Sequence, residues 1–261
     1  MQYTFISGAT GGIGKAFVIE LAKAQKPLFL TGRSIDKLNK LKSEIIGQYN
    51  TIIEVCACDL TRQKDREKML NYIDEKGITF ERIVNVAGVD TQMAFCDYTE
   101  EKVLFQIRVN CESTISLTHA LIKRAVSNVE ILTVSSMSGV SPMPYFALYS
   151  ASKAMLLNFF TALHYELKKQ KAKVTTVLPG GVPTREDIIQ DIKGQGLWGR
   201  LSAKTPEYVV KKSLKALSKN KVKYIPGFFN KFLYFIMKIA PKGIVLRFIA
   251  KRWSKQKKDA F

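Results

Sequence analysis

Tyr3-Thr-Phe-Ile-Ser-Gly-Ala-Thr-Gly-Gly-Ile-Gly14 joins a short apolar run, Tyr3 to Ser7, to a cluster of glycines, and Lys15 to Ala24 follows with helical spacing. Glycines let a backbone approach a bound pyrophosphate, and the unpaired amides at a helix N-terminus attract its charge. A tight turn without a ligand would use the same glycines. The strand before them and the helix after them favour the nucleotide, held by Gly8, Thr10, Gly12, Ile13 and Gly14.

Outward from there, strand and helix alternate. Leu28 to Thr31 reads as a second strand, ending in Gly32-Arg33-Ser34. A site for NAD usually places an acid here for the ribose 2′-hydroxyl, whereas an Arg accommodates a 2′-phosphate. With no carboxylate present, Arg33 points to NADP(H); its other reading is a solvated surface cation. Asp36 to Ile46 reads as a surface helix, and Ile52 to Ala57 as a third strand. Asp59-Leu60 follows, the Asp either reaching an adenine amino group or capping the next helix, the cap being what spacing alone supports. Lys64 to Glu75 is a helix, and Arg82-Ile-Val-Asn-Val-Ala-Gly88 a fourth strand whose Asn85 holds the turn or lines a crevice. Glu100 to Ser127 reads as largely helical, with a break at Asn110. Ile131 to Ser135 and Val174 to Leu178 are the fifth and sixth strands, the last entering Pro179-Gly-Gly-Val-Pro-Thr184.

This order, without linker or repeat, predicts one α/β domain over residues 1–225, a doubly wound parallel sheet of Rossmann type. The 261 residues and 46% apolar content suit a core of that size. Residues 185–204 show no clear period and read as a lid, before Thr205-Pro206 opens the next helix.

The chemistry points to Ser136 through Lys153. Tyr149 and Lys153 lie four apart at the start of a helical run, Leu148 to Leu167, which sets them on one face about 5–6 Å apart. A phenol is a poor proton carrier at neutral pH, and a neighbouring ammonium is expected to draw its pKa down. By itself this spacing is common on helix surfaces. The cysteines, Cys56, Cys58, Cys96 and Cys111, lack metal-ligand spacing, and with two histidines in the chain no metal is expected. His119 and His164 read as solvated or packed.

Together these motifs resemble the short-chain dehydrogenase/reductase family over residues 1–225. Ser7-Gly8-x-x-x-Gly12-x-Gly14 is similar to its Thr-Gly-x-x-x-Gly-x-Gly turn, with Ser for Thr, and Asn85-Val-Ala-Gly88 to its Asn-Asn-Ala-Gly. Ser136, thirteen residues before Tyr149, falls where the family keeps its catalytic Ser, and Asn110 at its fourth catalytic position. Ser135 and Ser138 are nearby alternatives set aside by that spacing. The resemblance implies that Tyr149 is the general acid in carbonyl reduction and the base in alcohol oxidation, and that Lys153 binds the nicotinamide ribose. It implies that Ser136 holds the substrate oxygen and Asn110 a water leading to solvent. Arg33, Asp59, Leu60, Asn85, Ala87, Gly88, Pro179, Gly180, Val182 and Thr184 would complete the cofactor site.

Net charge is +19, and residues 221–261 supply +10 of it, with eleven Lys or Arg against Asp259 alone. Phe228 to Ala240 places Phe228, Phe232, Phe235, Ile236 and Ile239 on one side of a helix and Lys231, Tyr234 and Lys238 on the other; Pro241 breaks it, and Ile244 to Trp253 continues. Three readings stay open: an anionic membrane surface, packing on the domain or a second subunit, and, ranked last, nucleic acid, for which no recognised module is present. The apolar tail beside Leu197, Trp198 and Leu201 suggests a hydrophobic ketone of steroid, bile-acid or fatty-acyl type. A start in strand after Met1 leaves no room for a signal peptide, so the expected location is cytoplasmic, peripheral at the inner face of a membrane under the first reading. The resemblance further implies a homo-oligomer, dimer or tetramer, through helices near 111–127 and 148–168. The competing class is a non-catalytic NADP-binding sensor or scaffold.

Overall fold

A computed structural model describes residues 1–254. Its centre is a seven-stranded, wholly parallel sheet in the order β3-β2-β1-β4-β5-β6-β7, built from β1 (Gln2–Ser7), β2 (Leu28–Gly32), β3 (Ile53–Ala57), β4 (Thr79–Asn85), β5 (Ala125–Val134), β6 (Lys173–Val177) and β7 (Lys223–Tyr224). Parallel strands need crossover helices, which cover both faces and leave the strands buried on both sides. On one face α1 (Gly12–Lys23), α2 (Ile35–Ile46) and α9 (Pro206–Ser218) bring Phe17, Leu41 and Val210 into one core. On the other, α3 (Gln63–Glu75), α5 (Ser113–Ile122) and α6 (Ala147–Glu166) bring Met69, Leu117 and Phe160 into a second. The order reverses between β1 and β4, so their carboxyl ends open a crevice where ligands bind in such sheets.

Three expectations need correction. The helix expected to reach Ser127 ends at Ile122, after α4 (Glu100–Ile107) and a π-helical turn, Arg108–Glu112, at the break foreseen around Asn110. The chain is already in strand at Ala125 because Phe80 N–H donates to Arg124 O at 3.1 Å and Ala125 pairs with Phe80. Long-range pairing here overrides local helical preference. Residues 185–204 are not irregular: α7 (Glu186–Gly194) and α8 (Gly196–Ser202) occupy them, separated where Gly196 takes φ +59. Each is too short for a period to show in sequence. β7 was not anticipated; two residues carry no pattern.

The tail folds as α10 (Phe228–Ile239) and α11 (Lys242–Trp253) and returns to the domain. Asn230, almost wholly buried, donates to Ser202 O at 2.9 Å and Pro226 O at 2.7 Å, and Arg252 donates to Gln195 O at 3.1 Å. Lys255, Lys257, Lys258 and Asp259 lie outside the described residues.

Candidate active site

The crevice is a cleft of about 750 Å³, within the range of small-molecule and cofactor sites. One wall is backbone. Gly8, at φ +64, lies so close to the neighbouring turn that a Cβ would meet Ala87 Cα at 2.9 Å, and one on Gly14 would meet Gly8 O at 2.1 Å. Ser7, standing where Thr was expected, accepts from the Val86 and Ala87 amides at 3.1 and 3.3 Å. The glycine turn and the Asn85-to-Gly88 turn are thus one unit.

Opposite these turns, Val182 and Thr184 follow β6, and Thr184 packs on Gly12, where a Cβ would come within 2.5 Å of it. A surface that only glycine fits, ending at the N-terminus of α1, is a cradle that accepts a dinucleotide pyrophosphate. Thr10, Ile13, Leu60, Gly88, Pro179 and Gly180 line the same cleft. Arg33 is exposed at its outer end beside Gly32, and makes no ion pair with another of the described residues. Asp59 also lines it; its side chain accepts from Thr61 N–H and Oγ1 at 3.0 and 2.8 Å, bracing the turn before α3 rather than capping the helix. Asn85 stands apart. Its amide donates to Thr118 and Thr133 at 3.0 and 3.1 Å inside the packing between sheet and α5, so it holds the strand end and does not face the cleft.

Tyr149 and Lys153 do share one face of α6. Ser136 lies beside Tyr149 in the cleft, and the Lys153 ammonium lies 5.6 Å from the phenol ring centroid, donating to Val134 O at 3.1 Å. Ser135 is excluded as an alternative, since its hydroxyl donates to Lys153 O at 2.7 Å; Ser138 Oγ is 3.2 Å from Ser136 Oγ and supports it. Gly139 is required by contact: a Cβ there would meet Lys153 C at 2.7 Å, so this glycine lets the serine loop close on α6. Asn110 sits in the π-helical turn, where its Nδ2 donates to Val89 O at 2.9 Å and its Oδ1 accepts from Val89 N–H at 2.8 Å. Its side chain pins the loop beyond Gly88.

The titration of the pair departs from expectation. Desolvation first, then the Asp90 carboxylate, push the Tyr149 phenol well above its ordinary value, partly offset by the Ser136 hydroxyl. Burial pulls Lys153 down to about 8, with Cys111 and Asp90 opposing. The ammonium is committed to Val134 O and does not touch the hydroxyl, so it does not draw the phenol toward neutrality. At neutral pH the phenol therefore keeps its proton and the amine its charge.

The other wall is apolar, and the tail that the sequence sets beside a hydrophobic substrate supplies much of it. Met143, Phe146, Leu233, Met237, Ile249 and Trp253 line it, four of them from α10 and α11. Phe146 stacks on Tyr149 at 4.4 Å between centroids and on Trp253 at 6.0 Å. Asn230 packs on the loop after β6, where a Cβ on Gly180 would meet its Oδ1 at 2.9 Å. Asp90 and Arg185 face each other across the mouth at 3.5 Å. Among the described residues no group of three or more His, Cys, Asp or Glu could hold a metal ion. His164 Nδ1 hydrogen-bonds with Val174 O at 2.8 Å and is structural, while His119 is exposed.

A parallel sheet with a glycine cradle at its switch point and a Tyr-Lys pair beside it defines a nicotinamide-binding oxidoreductase architecture. The chain belongs to the short-chain dehydrogenase family, whose model matches residues 2–190. It is 31% identical over 222 residues to the bovine (Bos taurus) very-long-chain 3-oxoacyl-CoA reductase, covering 83% of this chain and 68% of that one. It is 31% identical to 17-beta-hydroxysteroid dehydrogenase type 3 of Rattus norvegicus, over 70% of this chain and 60% of the relative. Across such curated relatives the matched part runs from 52% to 77% of their length. A solved structure of a 7beta-hydroxysteroid dehydrogenase superposes with a TM-score of 0.84 at 25% identity, covering 95% of this chain and 96% of that one.

Proposed function

We propose that this oxidoreductase interconverts a ketone and a secondary alcohol on a hydrophobic substrate, with NADP(H) as its cofactor. The observation that carries the reading is the gathering of Ser136, Tyr149 and a buried Lys153 in one cleft beside an apolar wall. When bound, NADPH supplies the hydride. The chain's own residues supply alignment and the proton. Ser136 and Tyr149 hold the carbonyl oxygen between two hydroxyls, and Tyr149 donates its proton there as charge develops. A phenol still protonated at neutral pH suits that direction; in alcohol oxidation Tyr149 takes the proton back. Lys153 holds the nicotinamide ribose, while Asn110 fixes the loop that frames it.

Arg33 favours the 2′-phosphate, because a planar cation stands where an acid would otherwise select NAD. The relatives act, by name, on oxoacyl and hydroxysteroid compounds, which agrees with the apolar wall. A second copy is expected through α5 and α6, with Met155 and Tyr165 exposed on α6. The test follows NADPH absorbance across steroid, bile-acid and acyl ketones with the full chain and with Tyr149→Phe. Turnover of at least one lipophilic ketone is expected, reduced by about 10²–10⁴ in the variant. Equal turnover by both would remove Tyr149 from the reaction.

A further inference from the structure

The helices that wall the cleft carry a second, unpartnered face. On α10, Asn230, Leu233 and Met237 turn toward the cleft, while Phe228, Phe232, Phe235 and Ile239 are exposed, Phe228 at 87% of its surface. On α11, Ile249 and Trp253 face inward, and Ile244 and Phe248 outward. The outer face continues onto α8: the Trp198 ring lies 5.4 Å from Phe229 and 6.5 Å from Phe248, with Leu197 and Leu201 exposed beside it. A soluble monomer seldom exposes so many large apolar side chains together.

What surrounds them selects the occupant. From Tyr208 to Ser254 the sequence contains no Asp or Glu, and Lys231, Lys238, Lys242, Arg247 and Lys251 are exposed around the apolar side chains. In a two-fold contact between copies the same patch meets itself, so cations would oppose cations without a carboxylate to receive them. The cores of protein interfaces are also depleted in Lys. An anionic lipid surface satisfies both parts, because acyl chains take up the aromatic side chains while Lys and Arg extend to the phosphates. No described helix is long and apolar enough to cross a membrane, so the face would lie on it.

We propose that α8, α10 and α11 dock this chain on an anionic lipid surface, and that, because the same helices wall the cleft, a lipophilic ketone enters from the bilayer. The second half rests on the function proposed above; the first does not.

The experiment sediments the full chain with vesicles of phosphatidylcholine, with and without phosphatidylserine, beside the exposed-face variants Phe232→Ser/Phe235→Ser and Lys231→Glu/Lys238→Glu. The parent is expected to sediment with the anionic vesicles and to lose roughly tenfold in binding at high salt. Each double variant should lose at least as much. Both variants should keep the parent's circular dichroism and its turnover of a water-soluble ketone, and turn over a vesicle-borne ketone more slowly. A parent left in the supernatant, or variants that sediment like it, overturns the docking. Variants that turn an oligomer into a monomer with vesicle binding unchanged reassign the face to a contact between copies, and RNA binding in place of vesicle binding reassigns it to nucleic acid. Docking with no turnover of any ketone would leave this surface standing and defeat the enzymatic reading.

Discussion

The cleft has two walls built by different means. The glycine wall is main chain, fixed by contacts so close that a single Cβ at Gly8 or Gly14 would collide with backbone. The tail wall is side chains on α10 and α11, tied to the domain by the hydrogen bonds of Asn230 and Arg252. Backbone contacts cannot be repacked, whereas apolar side chains of similar volume can. The first wall therefore suits a group that never changes, and the second is where substrate preference can drift.

That contrast can be broken at four points. Gly14→Val should weaken NADPH binding by at least ~100-fold or abolish folding, since its Cβ needs space already held by Gly8 O at 2.1 Å. Fluorescence titration beside circular dichroism reads this, and unchanged affinity would mean the wall yields. Arg33→Ala should lower the preference for NADPH over NADH by roughly 10–100-fold, the worth of a charge-assisted contact to phosphate. An unchanged ratio of dissociation constants would return Arg33 to the solvent.

The third point is pH. Lys153 titrates at about 8 against an ordinary 10.5, so affinity for NADPH should fall as pH rises above 8, by at most about tenfold per unit, and the step should vanish in Lys153→Met. Folding stability has the opposite sign. The unfolded chain binds this proton more tightly, so the burial cost is fully present below pH 8 and is relieved as pH climbs toward 10.5. The smallest effect belongs to the tail: Trp253→Ala should change KM a few-fold for a bulky ketone and hardly at all for a small one, with NADPH affinity unchanged. A loss of NADPH affinity would show that the walls are not separable.

The two walls also differed in how far they could be read in advance. Gly8 to Gly14 and the Tyr149-Lys153 pair are set by spacing within one turn or helix, so the sequence displayed them directly. Asp90, Asn230 and Trp253 were missed because they reach the site through loops and helices distant in the chain. Gly139 offered a faint signal, a glycine three residues after Ser136, whose meaning appears only when the loop meets α6. Asn85 reads from the sequence as holding the turn or lining the crevice, and packing between the sheet and α5 takes its amide to Thr118 and Thr133. The Tyr149 phenol moves against the expected direction for a related reason, since burial and the Asp90 charge arise from the tertiary fold and the helical spacing to Lys153 does not.

The proposed reaction needs a hydride and the Tyr149 proton to reach one carbonyl in this cleft. Its most direct test mixes the full chain, saturated with NADPH deuterated at the transferred position, with a lipophilic ketone in a single turnover. Mass spectrometry should find one deuterium on the carbinol carbon of the alcohol with the parent, and almost none in the same time with Tyr149→Phe, though that variant still binds NADPH. Equal yields from both chains, or a parent that binds no NADPH, would contradict it.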